Sequence, residues 1–354
     1  MIFNLNYFLI IGEALLFRDL VSRKYKDAWK LFAVVTFVQL ALIASLRDVS
    51  VGIDTQNYVG MFLDAQDGII TDYIEWGSRL YILFLGGVTT NNTIFLAAWA
   101  IPTIALFYRY MVRNSKDVYL SVCIYASLMY YFIVFNMIRQ ALAIGIVLQA
   151  IEPLQERKYL RYLLIVLLAV MIHTSAAVFL LTLPMSFVRI QPGVKTGILV
   201  TVLCAIVSIA GRGLIEFGAG LIGYGGYLNS GFAGEGNILH PMLFLSLLML
   251  CSVLLQRRGR NRERRYPIEY WMFAVGTLFY WLSVQVQIVN RIPYYFTGSI
   301  LVMFPNLIQE IHDRKQAEIL KLAVMIFLIL YEMMMVWRSA QGIVPYSFFF
   351  ASGR

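Results

Sequence analysis

Long apolar runs, repeated from one end of the chain to the other, constrain this sequence more than any single motif. Candidate membrane segments read as Ile2–Phe17, Trp29–Leu46, Asn91–Arg109, Val118–Phe135, Ile138–Ile151, Tyr159–Ile172, Thr174–Val188, Thr196–Gly211, Leu239–Leu255, Ile268–Gln287, Pro293–Glu310 and Leu320–Trp337. Several fall short of the roughly 20 residues that a straight span needs, so half-helices or kinked pairs are expected, above all around His173. With 60% hydrophobic and only 14% charged residues among 354, the chain cannot cover a water-facing surface. The expected fold is all-α, a polytopic transmembrane helical bundle of roughly 10–12 segments, some short or re-entrant. One integral membrane domain is expected over residues 1–354. The segment Met1–Phe17 has no basic stretch before it and no small-residue cleavage site, and reads as a retained first helix.

Loop charge assigns the sides. Arg18–Lys30 carries five basic and two acidic residues, and Gln256–Arg265 carries six arginines and one glutamate; both read as cytoplasmic. Arg47–Glu75 carries six acidic residues and one basic, and reads as an outer loop. The net charge of +9 therefore reports topology and lipid headgroups, and no nucleic-acid partner is expected. Because Arg109, Arg113 and Lys116 belong inside, an odd number of crossings must lie between Trp76 and Tyr108. Trp76–Val88 is expected to be re-entrant or interfacial, and Asn91–Arg109 to cross. A glycine-rich stretch over about residues 211–238 is expected to be a second outer loop, a mobile cover or a plain connector.

Cys123, Cys204 and Cys251 lie inside apolar runs without metal-ligand spacing, and the three histidines are scattered. No metal and no cofactor is expected, and nothing resembles a phosphate-binding or dinucleotide-binding loop.

Polar residues that interrupt the apolar pattern are the candidates for chemistry. Arg47 ends a span, and Asp54 follows after Gly52, which permits a tight turn back towards the membrane. Arg47 either grips a phosphate or carboxylate or pairs locally with Asp48 or Asp54. Arg139, flanked by Asn136 and Gln140 at the same depth, is either an anion ligand or a side chain reaching to headgroups. His173, followed by Thr174 and Ser175, either moves a proton or ties helices together. Arg291 reads as a third anion ligand, with Tyr294 and Tyr295 beside it as substrate contacts or interfacial aromatics. Glu13 and Glu332 lie within spans as proton or helix-pairing groups.

Leu46-Arg47, Val51-Gly52-Ile53-Asp54-Thr55 with Tyr58, then Asn136-x-x-Arg139-Gln140-x-x-Ala143, then Ile172-His173-Thr174-Ser175-Ala176, together resemble the EpsG family of bacterial membrane proteins, which are similar to Wzy-type polysaccharide polymerases. The resemblance is best over Ala44–Leu183; beyond that, Arg291 and Tyr295 are the best matches. Asp48 stands where the pattern has an aromatic residue.

The resemblance implies a substrate that composition does not reveal: oligosaccharide repeat units on undecaprenyl diphosphate, joined outside the cytoplasm at a bacterial cytoplasmic membrane. It implies a metal-independent glycosyltransfer, with a chain-length regulator and a flippase as partners in assembly. In that scheme Arg139 and Arg291 stabilise the diphosphate, and Arg47 positions donor or acceptor. Tyr58, Asn136, Gln140, Glu75 and Tyr295 are further substrate contacts. Asp54 is the first choice for the base, because its loop can reach sugars, with His173 and then Glu75 behind it. A flippase or exporter of the same lipid-linked sugars, a ligase and a non-enzymatic assembly subunit remain as alternatives.

Overall fold

The computed structural model describes residues 2–69, 74–221, 237–257 and 267–350, and among them all regular structure is helical. Five helices are long and apolar enough to cross a membrane: Ala28–Ser45, Asn92–Asn114, Val194–Gly211, Leu239–Arg257 and Arg314–Trp337. The chain is a multi-pass membrane protein built as a helical bundle. It divides into two compact units, residues 1–177 with 313–354, and residues 178–312.

The first unit contains α1 (Ile2–Leu16), α2 (Ala28–Ser45), α3 (Thr55–Gln66), α4 (Trp76–Val88), α5 (Asn92–Asn114), α6 (Val118–Ser127), α7 (Ile133–Asn136), α8 (Ile138–Leu148), α9 (Ile151–Gln155) and α10 (Tyr159–Ile172). The second contains α11 (Thr182–Met185), α12 (Val194–Leu221), α13 (Leu239–Arg257), α14 (Pro267–Leu282), α15 (Pro293–Thr297) and α16 (Ile300–Gln309). The chain then returns to the first unit with α17 (Arg314–Trp337) and an irregular tail.

The departures from the sequence reading have local causes. The acidic stretch between Arg47 and Glu75 is not one loop, because α3 forms inside it. Tyr58, Val59 and Phe62 on one face of α3 are buried against Phe95, Leu96 and Trp99 of α5, with Phe62 and Phe95 stacked at 4.5 Å. The run Val118–Phe135 is not one span. Helix α6 stops at Ser127, Met129 takes a positive φ of 69°, and the backbone N–H of Tyr131 donates to Tyr125 O at 3.2 Å before α7 begins. The glycine-rich stretch does not begin as a loop, since α12 stays helical to Leu221; its remainder, 222–236, and the basic residues 258–266 lie outside the described residues.

Helix α4 starts and finishes at one end of its unit. Its first residues abut the end of α10, where Ser78 Oγ donates to Ile172 O at 2.6 Å. Its last lead into Asn91, which shares a cavity wall with Arg47 at the end of α2. Trp76, Leu80, Phe84 and Val88, one helical turn apart, form an exposed apolar stripe, while Ile82 and Leu85 face the core. Such a face suits lipid contact at an interface. Helix α5, with 23 residues or about 35 Å of rise, is the one that traverses the unit.

Candidate active site

Helix ends α2, α5, α8, α10 and α17 converge at this end of the first unit. The loop after α2 is locked by short-range geometry. Gly52 has φ +100°, and a Cβ there would stand 2.6 Å from Phe135 O and 3.0 Å from Asn136 Oδ1, so only glycine fits. Thr55 Oγ1 donates to Val51 O at 2.7 Å and to Phe135 O at 2.9 Å. Asn136 accepts from the backbone N–H of Asp54 at 3.4 Å and donates to Gln341 Oε1 at 2.8 Å. The tail closes over the loop: the Gly52 N–H donates to Gly342 O at 3.0 Å, and Arg47 bridges to Phe348 in antiparallel register. Much of the first and second motifs is thus one buried knot. Asn136 and Gln140, which the sequence suggested as substrate contacts, are buried.

The knot delivers Arg139 to the start of α8, and a tight helix contact delivers its partner. A Cβ on Gly77 would lie 2.6 Å from Met171 O, so α4 can approach the end of α10 only with glycine there. That approach sets Glu75, just ahead of α4, against His173. Helix α10 stops at Ile172, His173 is extended (φ −153°, ψ 117°), and a 3-10 segment, Thr174–Leu181, follows. The break expected at His173 is present. It frees the Thr174 N–H for a side chain, and Glu75 takes it.

Glu75 is the hub. Its Oε1 lies 2.7 Å from His173 Nδ1 and accepts from Thr174 N at 3.0 Å and Thr174 Oγ1 at 3.3 Å. Its Oε2 is ion-paired to Arg139. Burial alone would raise the carboxyl pKa, but the hydrogen bonds from His173 and the Thr174 backbone, with the nearby Arg139 charge, outweigh it and hold the group at about 2. An ionised Glu75 accepts from Nδ1–H, and in the neutral imidazole this tautomer presents Nε2 as the acceptor. Arg139 also lies over the Tyr58 ring, 5.7 Å from its centroid, and its buried Nε has no hydrogen-bond partner among the described residues.

The other candidates separate from this cluster. Asp54 is half-buried at the start of α3, one turn before Tyr58, so its carboxylate and the Arg139–Tyr58 pair share a helix face. Arg47 is 1% exposed, lies over the Phe135 ring at 5.0 Å and donates through Nη1 to Ala44 O. Burial lowers its pKa to about 10, which leaves it cationic at neutral pH. The hydrogen bond shown for it among the described residues goes to Ala44 O and not to Asp48 or Asp54, the local partners that the sequence left open. Arg291 and Tyr295 belong to the second unit: Arg291 is exposed at the end of a 3-10 turn, whereas Tyr295 is fully buried in α15 and packs as core.

Sequence reasoning ranked Glu75 last among the candidate bases and gave Thr174 no role of its own beside His173. Glu75 stands close to a helix start, but nothing in the spacing says that the carboxylate reaches 98 residues along the chain to His173. A family model described as the EpsG family matches residues 30–348, nearly the whole chain. No curated protein and no solved structure matches it.

Proposed function

Since the chain belongs to the EpsG family, a family of Wzy-like polymerases, we propose that it joins oligosaccharide repeat units carried on undecaprenyl diphosphate at the non-cytoplasmic face of the membrane. The observation that carries this reading is the Glu75 carboxylate bonded at once to His173 and Arg139, at the end of the bundle that bears the acidic loop.

A hydroxyl oxygen of the acceptor sugar attacks the anomeric carbon of the donor. The new carbon–oxygen bond forms as the bond to the lipid diphosphate breaks, and the diphosphate leaves with the bonding pair. His173 Nε2 takes the hydroxyl proton, while Glu75 fixes the tautomer and stabilises the imidazolium that results. Arg139 balances the negative charge that grows on the departing diphosphate. The Tyr58 ring keeps the guanidinium flat and in place. Placing the base at His173 departs from the first choice of the sequence reading. Asp54 can still orient a sugar hydroxyl from the start of α3, and Arg291 is a second cation for the diphosphate on sequence grounds alone. The chemistry needs no nucleotide sugar, because the sugar–diphosphate bond supplies the driving force.

The test is a polymerisation assay on purified protein in lipid vesicles with the lipid-linked repeat unit. Wild type should give a ladder of lengthening chains, and Arg139→Ala and His173→Ala at normal expression should not. A folded wild type that gives no ladder but moves the lipid-linked unit across the vesicle would overturn the polymerase and leave a flippase.

A further inference from the structure

A second cluster of polar groups lies outside the Glu75 hub. A cavity of about 280 Å³ opens at the same end of the first unit, with Arg47, Asp48, Asn91, Asn92, Thr93 and Phe349 among its lining residues. It is slightly smaller than the roughly 300–1,000 Å³ typical of pockets for drug-sized ligands, which suits a single ring.

The hydrogen-bonding capacity in its wall is unevenly used. Arg47 is buried and cationic, and among the described residues its Nε has no hydrogen-bond partner and no carboxylate forms an ion pair with it. Asp48 stands beside it in the chain, but its Oδ1 accepts from the Ser50 N–H at 2.9 Å. A buried guanidinium without a counter-charge is costly, and a bound anion relieves that cost. The wall also holds the first turn of α5. Asn91 Oδ1 caps the N–H groups of Thr93 at 2.8 Å and Ile94 at 3.3 Å, which leaves the positive end of a 23-residue helix facing the cavity with the Asn92 N–H uncapped. Asn92 Oδ1 is buried and has no donor among the described residues. The cavity therefore asks for an oxyanion at Arg47 and a hydroxyl donor at Asn92, in one ligand, with the Phe349 ring as an apolar wall.

We infer that this cavity is a subsite for one acidic sugar residue of the glycan. Its carboxylate or phosphate pairs with Arg47 and a hydroxyl donates to Asn92. The inference rests on the polymerase reading for the origin of the ligand, and it narrows the substrate class to anionic repeat units.

The experiment titrates full-length protein in phosphatidylcholine nanodiscs with glucuronate, glucose and inorganic phosphate, reading binding calorimetrically, and runs the polymer ladder on the same preparation. Glucuronate should bind saturably, with glucose and phosphate at least about tenfold weaker, since glucose has no oxyanion and phosphate has no ring to carry a hydroxyl from Arg47 across to Asn92. Arg47→Lys should weaken glucuronate about tenfold, because a lysine lacks the planar fork. Asn92→Asp, on a half-buried surface turn that keeps the fold, should abolish binding by like-charge repulsion. If Arg47→Lys does not fold, Asn92→Asp decides alone. No saturable glucuronate binding to folded wild type, or glucose binding equally well, would overturn the inference. Phosphate binding equally well would overturn it in favour of a free-anion or headgroup site. A ladder without glucuronate binding sinks this inference and spares the polymerase. Glucuronate binding without a ladder sinks the polymerase and leaves the cavity an acidic-sugar site.

Discussion

The two ends of the first unit handle charge differently. At the end away from Arg47, ion pairs close on themselves. Lys321 reaches Asp117 at 2.9 Å with both side chains buried, while the other Asp117 oxygen caps α6 through the Leu120 N–H at 3.1 Å. Arg113 meets Glu152 at 2.9 Å, and Arg18 meets Glu318 at 3.6 Å. At the other end, one carboxylate collects an arginine, a histidine and a threonine, and among the described residues Arg47 forms no ion pair. Charge at the first end fastens helices together. Charge at the second keeps unused hydrogen-bonding capacity among the described residues, at Nε of Arg139, Nε of Arg47 and Oδ1 of Asn92.

Substitutions can break this contrast. The largest effect is expected at His173→Ala, where loss of a general base should lower kcat by about 10²–10⁴ with little change in thermal stability, measured as chain-extension rate per folded protein. Lys321→Met at the other end should do the reverse: a destabilisation of about 3–5 kcal/mol, because Asp117 loses its buried cation, with turnover retained by the fraction that folds. Gly77→Ala tests the hinge between the two halves of the site. Its Cβ would meet Met171 O, so α4 must shift from α10; about 1–3 kcal/mol of stability should go, and activity with it, as Glu75 moves off His173.

A smaller effect sharpens the electrostatic part. Glu75 has a depressed pKa, so its contribution to stability is present above its ordinary value of 4.5 and is lost as pH falls towards about 2. The melting temperature of wild type should exceed that of Glu75→Gln at pH 7, and the gap should close through that acid window. Smallest of all, Arg113→Ala removes a half-exposed pair and should cost less than about 1 kcal/mol.

Much of this was legible in the sequence. Apolar runs set the bundle, and a histidine with two hydroxyl residues marked the break at His173, because such a group interrupts a helix in an apolar medium. Gly52 was readable as a turn for the same reason: a glycine between a span end and an acid has few other uses. The depth of Arg47 was not readable. An arginine at the end of a span looks like a surface ligand, and its burial depends on Phe135 and on the C-terminal tail, which folds back from some 300 residues away to pair with the loop. Glu75 was undervalued for a similar reason, since its role depends on Gly77 allowing α4 to touch α10. Helix α3 was hidden because it is short and polar at Gln56, Asn57 and Asp64, so that Tyr58, Val59 and Phe62 give its buried face only a brief apolar pattern.

The most direct measurement compares initial chain-extension rates in vesicles for Glu75→Gln and Arg113→Ala, each normalised to folded protein. If the Glu75 hub is the catalytic centre, the ladder collapses in Glu75→Gln and runs at the wild-type rate in Arg113→Ala. A wild-type ladder from Glu75→Gln would contradict the account and return the search for the base to Asp54.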